Sequence, residues 1–243
     1  MIEVDARVKA RADTCISRWA FGDALERMRE ISVRANCFDL HSNSKEMTKQ
    51  PFNTYKQDLD LKFIQDLCDM EGTTTVIKRG QRLEQEGERA QWVGYVEQGC
   101  FKYIKRSLDG RHEHVNGFVF EHEFVAEYPA CIYGHPSRVS IEAVVNSTVR
   151  LVRGERLLEL YRESWEATEL GRVITEHLFD QTYERMNNFY CADARQRYYM
   201  LLEYCPQVIQ QLPLKDIASF VNVTPTYISK IRREHTFGKT EKF

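Results

Sequence analysis

The 243-residue sequence lacks a charge surplus, paired cysteines and any long apolar run. Its 34 Lys+Arg against 36 Asp+Glu leave a net charge of −2, so the total announces no polyanionic partner and the placement of the charges must decide. The seven cysteines (Cys15, Cys37, Cys68, Cys100, Cys131, Cys191 and Cys205) are odd in number and scattered, with no C-x-x-C pair. That excludes a zinc knuckle, an iron–sulfur run and a disulfide framework, and leaves reduced, mostly buried thiols. Mean hydropathy is −0.52 and no stretch approaches the roughly 20 apolar residues of a membrane span. Asp5, Asp13 and Asp23 interrupt the N-terminal apolar residues, so a signal-peptide core is missing and a cytoplasmic chain without a membrane partner is expected. What is present is 42% hydrophobic and 12% aromatic, ample for a packed core in one large domain or two ordinary ones.

Four segments differ in character. Residues 1–50 form an N-terminal extension, helical or disordered, in which Ile16, Trp19, Leu25, Met28 and Ile31 make a loose apolar stripe; Met47 is an alternative start. Residues 51–165 open with a short helix near 58–70. They then become β-branched and glycine-punctuated over 73–152, with Gly80, Gly87, Gly99 and Gly110 between short strands, as in an antiparallel roll. Residues 166–191 read as one long helix whose face Ile174, Leu178, Thr182, Met186 and Phe189 suits a two-helix dimer seam; packing of that stripe on the roll is the alternative. Residues 192–243 are helical again, with Tyr198, Leu201 and Leu202 facing inward.

The segment Leu214–Arg233 carries the clearest chemistry. Ile217, Ala218, Val223, Ile228 and Ile231 sit where a helix-turn-helix needs apolar contacts, and Asn222 tolerates the left-handed turn. Thr224 caps the second helix and Pro225 suits its first turn, where a missing N–H costs nothing. Thr226, Tyr227, Ser229, Lys230, Arg232 and Arg233 follow on the polar face. Residues 213–243 hold six Lys/Arg against three Asp/Glu, a local positive patch suited to a phosphate backbone. A helical hairpin in a scaffold is the bland alternative.

These parts in this order resemble the Crp/Fnr family of bacterial transcription regulators over roughly residues 55–235. The motifs are Arg79–Leu83, Gly87-Glu88, Tyr95–Gly99, Asp109-Gly110, Phe124–Glu127 and the proline-containing Val223–Arg232, which looks like the Bacteroidetes version. The resemblance implies an α+β protein rather than an enzyme: a cyclic-nucleotide-binding-like jelly roll, a long dimerisation helix and a C-terminal helix-turn-helix. It implies a homodimer on a near-palindromic site in double-stranded promoter DNA, with RNA polymerase as a candidate further partner and Thr226 and Lys230 at base-contacting positions. Pro225 stands where well-known members carry a base-reading arginine, so base preference does not transfer. The chain also runs only about ten residues past the recognition helix, which shortens or removes the usual wing.

The same resemblance places a small effector, a cyclic nucleotide or another ligand, in the roll. Glu127 falls at the ribose position behind Ala126 instead of glycine, Ser137 and Arg138 at the phosphate position in reversed order, and Thr182 at the helix hydroxyl. An anion needs a fixed cation and closely approaching N–H groups, which Ala126 and that reversal disfavour; pairing of Glu127 with Arg138 is the plain alternative. His112 and His114 share a strand face and, with Glu121 and His122, invite a metal-dependent cupin-like enzyme as a rival reading, although the glutamate spacing is wrong for that class. A cyclic-nucleotide-binding module without DNA function is the third. Nothing near Cys100 or Cys131 in the sequence lowers a thiol pKa, so no thiol sensor is expected.

Overall fold

The computed structural model describes residues 62–205 and 208–237; the readings placed on residues 1–50, including Met47, lie outside the described residues. A first helix, α1 (Lys62–Glu71), buries Ile64, Leu67 and Cys68 and leads into eight antiparallel strands. These are β1 (Thr73–Ile77), β2 (Arg82–Glu84), β3 (Trp92–Gln98), β4 (Phe101–Arg106), β5 (Glu113–Val119), β6 (Phe124–Ala126), β7 (Ser140–Ala143) and β8 (Ser147–Arg153). They form two sheets, ordered β1-β8-β3-β6 and β2-β7-β4-β5, the jelly-roll arrangement expected. Two strands, β2 and β6, were invisible to pattern reading because three residues are too few to display a period of two. Gly99 shows why the punctuation matters: its φ is +106°, and a Cβ there would lie 2.2 Å from Ser147 Oγ.

Helices follow: a single turn α2 (Ala130–Tyr133) inside the roll, then α3 (Gly154–Glu163), the long α4 (Trp165–Cys191), α5 (Ala194–Tyr204), α6 (Val208–Gln211), α7 (Leu214–Phe220) and α8 (Pro225–Phe237). Ser164 caps α4 by accepting from Ala167 N. Asp193 and Gln196 close a capping box that restarts the chain as α5 three residues beyond Cys191.

The core has three parts. Val96, Phe101, Val119, Val125, Ile141 and Val149 fill the space between the sheets. A second cluster packs α1, α3 and the start of α4 on the roll through Ile64, Leu67, Val93, Val152, Leu157 and Ile174. The third joins the outer face of the β4–β5 sheet to the C-terminal helices: Cys100, Val115, Phe118 and Phe120 meet Tyr198, Leu201, Ile217, Ala218, Ile228 and Ile231. Strand alternation explains this, since Phe101 and Val119 point into the roll while Lys102 and Phe118 point out.

That covered outer face buries a lysine. Lys102 Nζ lies 3.2 Å from an Asp216 carboxylate oxygen of α7 and 3.3 Å from Glu142 Oε1 of β7. Beside it Ser219 Oγ accepts from Val115 N at 2.9 Å, and the Phe118 and Phe220 rings lie 5.4 Å apart. Removing the shared cation strands two acids, one of them fully enclosed, and that cost exceeds the value of the pair itself. Lys102→Ala is therefore expected to lower stability by about 3–5 kcal/mol, read as a fall in the urea midpoint at neutral pH; an unchanged midpoint would contradict the arrangement.

Burial pushes the Cys68, Cys131 and Cys205 thiols up to about 12, and pushes Cys100 higher still. At pH 8 these four stay protonated and poorly nucleophilic, whereas Cys191 is exposed. Brief iodoacetamide treatment of the native protein at pH 8 should alkylate Cys191 well ahead of the other four, with peptide mapping by mass as the readout.

Candidate DNA interface and effector site

The α7–α8 pair is built as a helix-turn-helix. Ile217, Ala218, Val221, Ile228 and Ile231 are buried between and behind the two helices, and Val223 N donates to Ala218 O at 2.9 Å across the turn. Asn222 takes φ +57° at the expected left-handed position, and Thr224 Oγ1 accepts from Tyr227 N at 3.3 Å as the cap. With Ile228 and Ile231 fixed inward, Thr226, Lys230 and Arg233 fall on the opposite, solvent face at helical spacing, with Tyr227 beside them and Pro225 and Thr224 exposed at the helix start. The Lys230 side chain is 70% exposed and lies 4.0 Å from Glu234.

One residue expected on that face turns away from it, and another is tied up by its own helix. Arg232 turns back toward α5: its Nε donates to Tyr198 Oη at 2.8 Å and the guanidinium lies over the Tyr198 ring. Ser229 is half-buried and its hydroxyl donates to Pro225 O at 3.1 Å within the helix. Sequence reasoning missed Arg197. Its Nη1 donates to Ala192 O at 2.6 Å and its Nε to Val221 O at 3.2 Å, and it sits over Phe189, tying the end of α4 to the turn of the motif.

The expected stripe on α4 also divides. Ile174 is buried against its own roll and Leu178 packs beside that cluster, so neither is available to another chain. Thr182, Met186 and Phe189 are exposed, and the open apolar face continues through Phe179, Tyr183 and Tyr190. Phe179, Tyr183, Met186 and Tyr190 recur at the i, i+4, i+7, i+11 spacing of one helical face. The α4 helix thus packs on the roll in its first half and turns an aromatic face outward in its second.

In the roll, two of the residues aligned with an effector site pair with each other. Arg138 Nε donates to Glu127 Oε1 at 2.7 Å, and Arg138 Nη2 reaches Tyr128 O at 3.4 Å. The Ser137 hydroxyl donates to Val139 O at 2.6 Å. Tyr103, unnoticed in the sequence, places its hydroxyl on Ala126, 3.1 Å from the carbonyl oxygen and 3.2 Å from the amide nitrogen. Thr182 stands exposed on α4. Glu127 Oε2 is buried without a hydrogen-bond partner, free to accept from a hydroxyl, but the cation beside it is already neutralised by the same carboxylate. For a cyclic phosphate the residues present do not fit. His112 and His114 are exposed and His122 lies 3.2 Å from Tyr95 Oη; among the described residues no group of three or more His, Cys, Asp or Glu is placed to hold a metal ion. No helix among the described residues is long and apolar enough to cross a membrane.

Comparison with known proteins agrees with this geometry. Residues 74–164 match the family model of the cyclic nucleotide-binding domain. No curated protein matches the sequence. Among solved structures, FixK2 from Bradyrhizobium japonicum superimposes with a TM-score of 0.59 at 20% identity, covering 70% of this chain and 87% of that one. A protein from Eubacterium rectale described as a transcriptional regulator of the Crp/Fnr family gives 0.54 at 16% identity, covering 74% and 86%. CLP, the c-di-GMP responsive global regulator of Xanthomonas campestris, gives 0.51 at 16% identity, covering 74% and 93%. Residues 74–164 are thus similar to the cyclic nucleotide-binding domain, and the β-roll, long helix and helix-turn-helix together have the fold of solved Crp/Fnr regulators.

Proposed function

We propose that the chain is a homodimeric transcriptional regulator that binds a near-palindromic site in duplex DNA through α8 and receives its signal through the roll. The observation that carries this reading is the division of α8 into a buried Ile228/Ile231 side and an exposed Thr226, Tyr227, Lys230, Arg233 side. A helix held from behind by its own domain and polar in front is what a major groove accommodates. The exposed aromatic face of α4 supports pairing of two copies, which sets two such helices on one duplex. The resemblance adds a cytoplasmic setting and RNA polymerase as further partner.

Signal transfer is linkage between the roll and the motif. Arg185 of α4 donates to Asn116 O of β5 and lies over the Phe220 ring of α7, 5.0 Å from its centroid, so the long helix, the roll and the motif meet at one guanidinium. Burial pulls that group down to about 10, so it remains charged at neutral pH. A ligand in the roll must differ from a cyclic phosphate or displace Glu127 from Arg138.

Lys230→Ala is expected to cost about 1–3 kcal/mol at one base pair of the site and to relax preference there. Arg233→Ala should weaken all sequences alike and reduce the salt slope by about 1, whereas Arg232→Ala should lower stability and leave that slope intact. Selection of bound genomic fragments followed by anisotropy titrations at several salt concentrations checks all three; absence of any enriched fragment would remove the reading. Tyr183→Glu with Met186→Glu should convert the dimer to monomers in sedimentation and abolish tight binding to a two-half-site duplex while a single half-site binds as before.

A further inference from the structure

The hairpin joining β4 to β5 is not remote from the helix-turn-helix. Ser107 Oγ accepts from His112 N at 3.0 Å and Asp109 takes the Ser107 hydroxyl and Arg111 N, which fixes the tip. The strands below are locked to α7 by the Lys102–Asp216 pair and by the Val115–Ser219 hydrogen bond. As a result His112 and His114 of the roll share one cleft with Lys215 at the start of α7 and with Asn222, Thr224 and Pro225 at the turn and start of α8. Arg111, His112, His114 and Lys215 are all exposed. One carboxylate also lines the cleft, Glu113, and Arg82 Nη2 holds it at 2.9 Å.

We infer that this hairpin is a second DNA-contacting element, with Arg111, His112 and His114 holding the duplex backbone beside the groove that α8 enters. The inference rests on the DNA-binding reading above and extends it to the roll. The start of a recognition helix and the turn before it lie at the lip of the major groove, where a phosphate strand passes. A cleft bounded there by a lysine, two imidazoles and the positive end of the 13-residue α8 presents donors to an anion from both walls. An imidazole keeps an N–H donor in either protonation state, so the contact does not require a protonated histidine. Because the hairpin touches backbone and not base edges, it adds affinity to every sequence equally.

The test compares full-length protein with an Arg111→Ala/His112→Ala/His114→Ala variant on the selected operator and on random duplex across a salt series. The variant should bind both duplexes about tenfold more weakly and show a salt slope reduced by about 1, the share of Arg111. Trimming the operator by the flanking base pairs that lie against the hairpin should weaken the unaltered protein by a similar factor and leave the variant unaffected. Arg111→Ala alone, at the solvent-exposed tip, guards against a folding defect and should give part of the loss with an unchanged melting curve. Equal affinity and slope in variant and unaltered protein overturn the inference while leaving the helix-turn-helix reading in place. Tighter binding by the variant overturns it too, because the hairpin then obstructs the duplex. If the unaltered protein binds no duplex, the DNA-binding reading fails and this one with it.

Discussion

Lys102 sits on the outer face of a β-roll sheet, where a lone jelly roll would leave it in water, and here it is enclosed by carboxylates from β7 and α7. Everything distinctive about the molecule depends on covering that face. Without α7 above it, Phe118 and Val115 would be exposed apolar surface and Lys102 an ordinary solvated cation. With α7 in place, the roll and the helix-turn-helix share one apolar cluster, fully burying Phe118, Ile217 and Ile228. Each such side chain contributes about 1.5–3 kcal/mol when removed from water. The ion group adds orientation to that apolar attraction, since Asp216 must face Lys102 for the pair to form.

The same junction reaches the long helix. Arg185 connects α4 to Asn116 and Phe220, Arg197 connects its end to Val221, and Tyr128 of the roll lies 3.4 Å from Thr175 Oγ1 across the start of the helix. The roll therefore touches α4 at Thr175 and Arg185, and α4 touches the motif through Arg185 and, at its end, through Arg197. Deeper in the roll, Glu127 Oε1 pairs with Arg138 and the Tyr103 hydroxyl sits on Ala126, while Glu127 Oε2 has no hydrogen-bond partner.

Much of this was legible in the sequence, and the reason differs by element. Gly80, Gly87, Gly99 and Gly110 marked real left-handed turns because only glycine reaches those φ values cheaply. The helix-turn-helix was readable from Ile217 to Ile231 because cap, turn and apolar spacing all act within about twenty residues. The inward turn of Arg232 was not legible, because it depends on Tyr198, 34 residues away. Ile174 misled for a related reason: a helical stripe states that a face is apolar but not which body it meets, and α4 meets the roll first and opens its aromatic face only beyond it. Tyr103 gave no signal at all, since a tyrosine in a strand looks like any other core aromatic until its hydroxyl finds a backbone.

The shared cluster across the outer sheet face has a consequence for how the molecule comes apart. Two lobes linked by a thin hinge melt separately, and the weaker can open while its neighbour survives. Here the wall of one is the floor of the other, so peeling α7 away would wet Phe118, Ile217 and the Lys102 acid pair in a single event. Opening that seam therefore costs the roll and the motif their shared cluster together.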